Sequence, residues 1–125
     1  WPGKVPAGTE SDAVLLGFDL LPSFTEIAGI SEDNPYHLDG MSFVDHLFEQ
    51  APVPARDVFF GYEPKLGTAM RQGPWKMIVK DEEVQLYNLE KDLGETNNVA
   101  TDHPEITASM RTAIEHFKVT VVPGS

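Results

Sequence analysis

The sequence lacks cysteine altogether, has few basic residues and contains no long hydrophobic run. Without cysteine the chain can form no disulfide, no zinc–thiolate site and no thiol nucleophile. Nine Lys and Arg against 20 Asp and Glu give a net charge of −11, which repels nucleic acid backbones and anionic lipid surfaces. The longest apolar runs, such as residues 13–16, are far shorter than the ~20 residues of a membrane-spanning helix. We therefore expect neither nucleic acid nor a membrane as a partner.

The 125 residues are 41% hydrophobic and 23% charged, which is enough apolar content for one domain with a core. The opening segment, residues 1–8, is rich in Pro and Gly and has neither the basic nor the apolar part of a signal peptide. It resembles a stretch from inside a longer protein. We expect the first residues to lie on an exposed, unsatisfied sheet edge.

The first half of the chain carries two helix patterns. Asp19 is placed to be an N-cap, and Gly29 suits the left-handed position after a helix end. Leu20, Phe24 and Ile27 recur at helical spacing, so this short helix is expected to bury that face. Residues 31–40 read as a loop, and a weak capping box at residues 42–45 opens a second short helix.

From residue 57 onward the pattern becomes that of a sheet followed by a helix. Strands are predicted at residues 57–62, 68–72, 75–80 and 84–89, and the short connections require antiparallel pairing of neighbours. A helix of about four turns is predicted from Asp102, with an apolar stripe of Ile106, Met110, Ala113 and Phe117 that lies across the sheet. Residues 119–122 are β-prone.

The order of these segments resembles the C-terminal portion of the sulfatases, the arylsulfatase family of the alkaline phosphatase superfamily. The segments that carry the resemblance are Trp1-Pro2-Gly3, Phe18-Asp19-Leu20-Leu21-Pro22-Ser23, Ala28-Gly29-Ile30, Leu38-Asp39-Gly40-Met41-Ser42, Ala69-Met70-Arg71-Gln72-Gly73-Pro74-Trp75-Lys76-Met77-Ile78, Leu86-Tyr87-Asn88-Leu89, Asp92-Leu93-Gly94-Glu95-Thr96-Asn97-Asn98 and His103-Pro104-Glu105. Each segment is weak by itself, but together and in this order they span nearly the whole chain.

The resemblance implies an α+β fold with a four-stranded antiparallel sheet packed against a long C-terminal helix, preceded by the helical tail of a larger α/β domain. Residues 1–50 would be the tail of the N-terminal catalytic domain plus a linker, including the end of an edge or near-edge strand. Residues 51–125 would be the sulfatase C-terminal subdomain. The N-terminal catalytic domain of the same protein and a sulfate ester are the implied partners.

Sulfatases of this kind hydrolyse sulfate esters with a formylglycine, made from Cys or Ser in a C/S-x-P/A-x-R motif, and a divalent cation, usually calcium. No such motif is present in this chain. Leu21-Pro22-Ser23 resembles part of it but lacks the surrounding nucleophile and Arg, and Asp33-Asn34 shares only its residue types with the family's metal-binding Asp-Asn pair. We therefore expect no catalytic residue, metal ligand or bound cofactor in this chain. The two neighbouring pairs Asp45-His46 and Asp102-His103 read as a capping Asp beside a surface His, and His37 and His116 look equally ordinary.

Substrate contacts are expected at the rim of the family's pocket, over which loops of the C-terminal domain lean. The candidates are Tyr62, Glu63, Lys65 and Arg71. Arg71 could pair with an anionic substrate group, or instead form a salt bridge within the sheet or with the rest of the protein. Trp75 could stack on a sugar or aryl ring, or instead be a core residue.

Three functions stay open at this point: a sulfatase portion, a portion of a related phosphonate or phosphodiester hydrolase, and a stand-alone interaction module. A sulfatase portion should expose a large apolar patch around Leu15, Leu16, Phe18 and Leu20, or self-associate to hide it. A stand-alone module should be a compact monomer. The family resemblance alone points to the periplasm or the outside of the cell, and the sequence does not identify the sulfate ester.

Overall fold

The computed structural model describes residues 1–30, 39–63 and 67–120, except the side chains of residues 62 and 63. The chain divides into two compact units, Trp1–Pro54 and Ala55–Ser125. The first unit contains a 3₁₀ turn, Gly17–Asp19, and two helices, α1 (Leu20–Ile27) and α2 (Val44–Glu49). The second contains strands β1 (Asp57–Glu63), β2 (Gly67–Gln72), β3 (Trp75–Lys80) and β4 (Glu83–Asn88), followed by helix α3 (Pro104–Thr120). The predicted α+β architecture is confirmed.

Helix α1 ends where the sequence predicts, at Gly29. This glycine has a φ of +67°, and its N–H donates to the carbonyl of Glu26 while that of Ile30 reaches back to Thr25. The pair of bonds is a Schellman motif, which glycine accommodates because it has no Cβ to clash in the left-handed region.

The start of α1 differs from the prediction, because the side chain of Asp19 does not cap the helix. Asp19 has helical dihedral angles and is fully buried. Its carboxylate accepts the N–H of Leu16 at 2.7 Å and the N–H of Met41 at 3.1 Å. Gly40 permits this approach, since a Cβ there would lie 2.2 Å from the carbonyl oxygen of Phe18. Asp19 thus joins the 3₁₀ turn to a segment 22 residues further on.

The predicted buried face of α1 is wrong. Leu20 and Phe24 are 45% and 60% exposed, and the buried residue of the helix is Ser23. The hydroxyl of Ser23 donates to the carbonyl of Asp19 at 2.7 Å and accepts the N–H of Phe43 at 3.1 Å. Ser23 therefore faces the rest of its unit, while Leu20, Leu21 and Phe24 face outward and Ile27 is partly buried.

The opening segment also differs from the prediction. Among residues 1–30 the structure has no strand, and the carbonyl of Trp1 accepts the N–H groups of Lys4 and Val5 in a turn. The ring of Trp1 meets that of Phe48 edge to face, with centroids 5.5 Å apart. The Pro- and Gly-rich sequence explains the difference, because it favours turns over the extended backbone of a strand.

The sheet has the strand order β1-β2-β3-β4, and all neighbours are antiparallel, as the short connections require. Strand bounds agree with the prediction to within one residue. On one face, side chains such as Met70, Met77 and Leu86 are fully buried. Their alternation along paired strands places them together under α3.

Helix α3 supplies the other half of the core. Met110 and Ile114 are fully buried, Ile106 and Ala113 are partly buried against the same cluster, and the ring of Phe117 stacks on that of Phe59 at 4.3 Å. The predicted stripe therefore faces the sheet and also includes Ile114. The β-prone pattern at residues 119–122 does not end the helix, which continues to Thr120; residues 121 and 122 lie outside the described residues.

Candidate functional site

The predicted rim residues do not form one cluster in the described part of the chain. Tyr62 and Glu63 lie at the end of β1, with their side chains undescribed, and Lys65 lies outside the described residues. Arg71 lies at the other end of β2, roughly 13 Å from Gly67 at ~3.3 Å per residue. Glu63 pairs with Gly67, so the strand end and Arg71 are at opposite ends of the β1–β2 pair.

Arg71 is held by a short local contact. Its Nε donates to the carbonyl oxygen of Gly73 at 3.1 Å, and it pairs with Lys76 across the β2–β3 ladder. The contact of Arg71 with a substrate or with the rest of a longer protein stays a prediction. Within the residues that the structure describes, the guanidinium makes no salt bridge.

A compact hydrogen-bond network follows β4 and is built on Asp92. The carboxylate accepts the N–H of Thr96 at 2.9 Å, the hydroxyl of Thr96 at 3.0 Å and the N–H of Asn97 at 2.8 Å. These backbone donors, first from Asn97 and then from Thr96, lower the pKa of Asp92 below its ordinary value because they favour the ionised form. The turn-rich sequence at residues 92–98 is therefore a specific fold of the backbone around one carboxylate.

The end of this segment continues the edge of the sheet. The side-chain oxygen of Asn98 accepts the N–H of Leu86 at 3.0 Å, and its amide nitrogen donates to the carbonyl of Val84 at 3.1 Å. The N–H of Val99 then donates to the carbonyl of Leu86 at 2.9 Å. Asn98 thus satisfies backbone groups of β4 that would otherwise be an open strand edge.

Glu95 fixes the same segment to the second face of the sheet by an ion pair with the Nζ of Lys76. Both side chains are partly buried. The neighbouring Tyr87 is 8% exposed; burial raises the pKa of its phenol, and the nearby charges of Glu95, Asp92 and Glu83 raise it further. The phenol therefore stays neutral over a wider pH range than a free tyrosine, and its hydroxyl donates to the side-chain oxygen of Gln85 at 3.2 Å.

A cleft of about 500 Å³ lies between this segment and the start of α3. Its walls are formed by Trp75, Asn88, Lys91, Asp92, Thr96, Asn97, Val99 and His103. The rings of Trp75 and His103 have centroids 4.8 Å apart and are inclined by 60°. Trp75 is partly buried and also packs against the core, so it serves both as a core residue and as a wall of the cleft.

The calcium implied by the resemblance does not fit the residues present. The described residues contain no group of three or more His, Asp or Glu side chains that could hold a metal ion. The carboxylate of Asp92, which lines the cleft, already accepts three hydrogen-bond donors from Thr96 and Asn97. Asp33 and Asn34 lie outside the described residues.

Of the two histidines beside an Asp, His103 is exposed, as expected, whereas His46 is not a simple surface residue. His46 is partly buried, with its Nδ1 at 2.6 Å from the carbonyl of Ala51 and its Nε2 at 2.7 Å from the hydroxyl of Ser11. His103, rather than Asp102, directly precedes α3, and its ring contacts Trp75. His116 is exposed, as expected, and His37 lies outside the described residues.

Replacing Asp92 with Asn is expected to remove part of the acid sensitivity of the second unit. Because the folded-state pKa lies below the unfolded one, the ionised Asp92 stabilises the fold fully above its ordinary pKa, and this contribution is lost as pH falls through the folded value. The urea midpoint of the native chain should therefore fall as the pH drops from the ordinary pKa of an aspartate through the lower folded-state pKa of Asp92, and it should fall less in Asp92→Asn. Asp102→Asn, which removes an exposed carboxylate of the same unit, is the control. Identical pH profiles for Asp92→Asn and the native chain would contradict the assignment.

The fold and the cleft define an α+β unit with a helix-covered antiparallel sheet. No protein-family model matches the chain. Among curated proteins, the chain is 33% identical over 124 residues to arylsulfatase K of Mus musculus, a match that covers 87% of this chain and 22% of that protein. It is 29% identical over 120 residues to an uncharacterized sulfatase of Schizosaccharomyces pombe, covering 85% of this chain and 21% of that protein. The chain thus spans about a fifth of the length of these relatives.

Solved structures share this fold. The crystal structure of Ps i-CgsB superimposes with a TM-score of 0.76 and 25% identity, over 94% of this chain and 27% of that one. The structure of BT4656 in complex with its substrate D-glucosamine-2-N,6-O-disulfate has a TM-score of 0.74 over 94% of this chain and 26% of that one, and its 20% identity supports likeness of fold alone. The predicted resemblance is confirmed: the chain is similar to the C-terminal portion of the sulfatases. Within the described residues, no helix combines the length and the apolar character needed to cross a bilayer.

Proposed function

We propose that this chain is the C-terminal part of a sulfate ester hydrolase. Residues 1–50 would be the tail of the N-terminal catalytic α/β domain plus a linker, and residues 51–125 the C-terminal subdomain. The observation that carries the proposal is the extent of the likeness, since 94% of the chain superimposes on about a quarter of a solved structure and its curated relatives are named as sulfatases. The division of the chain at Pro54 supports the two parts.

The reactive centre of this hydrolase belongs to the catalytic domain, which is the principal partner of the chain. Formylglycine and a divalent cation such as calcium would be supplied there. The sequence contains no C/S-x-P/A-x-R motif from which formylglycine could be made, which supports placing the reactive centre outside this chain. The family's usual location makes the periplasm or the outside of the cell the proposed compartment.

In this proposal the second unit is a rigid scaffold that supplies part of the rim of the substrate pocket. Its core is closed on the α3 side of the sheet, and the Asp92 network and the Lys76–Glu95 ion pair fix the segment that follows β4. Arg71, Tyr62, Glu63 and Lys65 remain the proposed contacts to an anionic substrate, although Arg71 is separated along β2 from the end of β1 that carries Tyr62 and Glu63. A rigid scaffold suits this role, because small displacements of positioning groups lower catalytic rates strongly.

The assay that tests this function compares the 125-residue chain with the whole protein on a fluorogenic aryl sulfate. We expect no turnover above buffer from the chain, with or without added calcium, and turnover from the whole protein. A matched phosphodiester substrate distinguishes a sulfatase from a phosphodiester hydrolase. Turnover by the chain alone, or a whole protein that cleaves only the phosphodiester, would overturn the proposal.

The outward face of the first unit predicts self-association of the isolated chain. Leu15, Phe18, Leu21 and Phe24 are 40–60% exposed along one short stretch, and such clusters of apolar side chains mark interaction surfaces. We expect sedimentation to show association of the native chain, and the double variant Leu21→Ser/Phe24→Ser to shift it toward monomer. Because these side chains are already exposed, their replacement should change the free energy of unfolding by less than about 0.5 kcal/mol.

Leu93→Ser is the matched control for this surface. Leu93 is 81% exposed in the second unit, outside the apolar stretch, so its replacement should leave association unchanged. A native chain that is monomeric at all concentrations would instead favour the stand-alone module. A patch variant that unfolds the first unit would show that these side chains are core residues.

A further inference from the structure

The cleft beside Trp75 combines an aromatic wall with polar side chains that have hydrogen-bonding capacity to spare. At about 500 Å³ it falls within the ~300–1,000 Å³ of typical small-molecule sites. Trp75 and His103 form the aromatic wall, although they are 28 residues apart in the sequence. Aromatic rings with a polar edge offer both an apolar surface and hydrogen-bonding atoms to a ligand.

The polar groups on the other walls are mainly donors. Asn88 accepts the N–H of Glu90 with its side-chain oxygen, which leaves its amide N–H groups for a ligand. Within the described part of the chain, the side-chain amide of Asn97 and the ammonium group of Lys91 have no hydrogen-bonding or ionic partner. Asp92, the acidic residue of the walls, has its oxygens engaged by Thr96 and Asn97. These contacts leave the amide N–H groups of Asn88, the side-chain amide of Asn97 and the ammonium group of Lys91 for a ligand.

We propose that this cleft binds one saccharide unit that carries an anionic substituent. The sugar ring lies against Trp75 and His103, its hydroxyl groups bond to Asn88 and Asn97, and its anionic group pairs with Lys91. Amide side chains match the alternating donors and acceptors of sugar hydroxyls, and an ammonium group adds a charge-assisted bond to a sulfate or carboxylate. The choice of a sulfated sugar as the anionic one rests on the proposed function.

The fluorescence of Trp75 provides a direct test on the full 125-residue chain. Trp1→Phe removes the other tryptophan and leaves Trp75 as the single reporter. The probes are a sulfated chondroitin disaccharide, the same disaccharide without sulfate, and inorganic sulfate. We expect a saturable change in Trp75 fluorescence with the sulfated disaccharide, and at least about tenfold weaker binding of the other two.

Lys91→Ala and Asn97→Ala locate the binding, because both side chains lie on the cleft and neither belongs to the core. Each should weaken binding of the sulfated disaccharide about tenfold. Lys80→Ala is the matched control, since Lys80 is an exposed lysine at the opposite end of β3 from Trp75. No saturable change, equal binding of the unsulfated sugar, or an equal effect of Lys80→Ala would overturn the proposal.

Failure of this site and failure of the proposed function are separable. Binding by the chain needs no hydrolysis, and a small aryl sulfate tests hydrolysis by the whole protein without needing the cleft. A hydrolase whose C-terminal chain ignores the disaccharide would refute the cleft alone. A chain that binds the disaccharide within a protein that cleaves no sulfate ester would refute the proposed function alone.

Discussion

Replacing Ile114 with Ala is expected to unfold much of the second unit. Ile114 is fully buried in α3, within the cluster that it forms with Met70, Met77 and Leu86. Removing three carbons from such a site costs about 2–5 kcal/mol, because burial is lost and a cavity remains. A unit of about 70 residues rarely has more than ~3–5 kcal/mol of stability to lose. Urea unfolding in the Trp1→Phe background, followed by circular dichroism and by Trp75 fluorescence, measures the loss.

Val119→Ala is the control that separates burial from helix propensity. Val119 is an apolar residue of the same helix but is 80% exposed. Alanine favours helix more than valine does, so this variant should match or slightly exceed the native stability. If Ile114→Ala and Val119→Ala had the same effect, within about 0.5 kcal/mol, α3 would not be packed on the sheet as described.

The second unit could be predicted closely because its structure depends on local signals. Gly73-Pro74 and residues 81–83 leave no room for a crossover, so antiparallel neighbours follow from chain length alone. The alternation through Met77 and Val79 identifies the buried face, and the helical spacing that includes Met110 identifies its cover. Each of these inferences uses residues that are close in sequence.

The first unit was predicted less well because its contacts are distant in sequence. The face of Leu20 and Phe24 satisfies every local rule for a buried stripe, yet it is exposed in the chain as described. What holds α1 instead is the bonding of Asp19 and Ser23 to backbone about 20 residues away. Periodicity measures amphipathicity but not which side has a partner, so the sequence alone could not make this choice.

In the candidate site, too, the features that depend on neighbouring residues could be predicted, and those that depend on distant contacts could not. The sequence predicts turns at residues 92–98, but it does not show that the carboxylate of Asp92 accepts hydrogen bonds from the N–H groups of Thr96 and Asn97. It also could not place His103 beside Trp75, since that contact depends on how α3 meets the sheet. The sequence signals that pointed to a cleft here were Trp75 at the start of β3 and the polar segment of residues 92–98 after β4.

Replacing Asp19 with Ala is expected to destabilise the first unit by releasing the 3₁₀ turn from the segment at Met41. Asp19 is fully buried, and its two carboxylate oxygens hold the N–H groups of Leu16 and Met41. Hydrogen bonds to a charged group contribute roughly 1.5–3 kcal/mol each, and the two donors would be stranded in the variant, so a loss of about 3 kcal/mol or more is expected. In hydrogen exchange this corresponds to a roughly 100-fold faster exchange of the Leu16 and Met41 amides. Asp12→Asn, which removes an exposed carboxylate in the same unit, should change neither.

The variant Asp19→Asn separates the contribution of the carboxylate to stability from that of side-chain size. The amide has nearly the same size but one oxygen, so its NH₂ group must face one of the two backbone donors. We therefore expect Asp19→Asn to recover little of the loss in Asp19→Ala, and one of the two amides to exchange faster than the other. Ser23→Ala should lower the free energy of unfolding by less, about 1 kcal/mol, because it removes a hydrogen bond between uncharged groups of α1 and Phe43. If Asp19→Asn retained native exchange at both amides, the carboxylate would not be what joins the 3₁₀ turn to Met41. The joint would then depend on the close fit of Gly40 against Phe18.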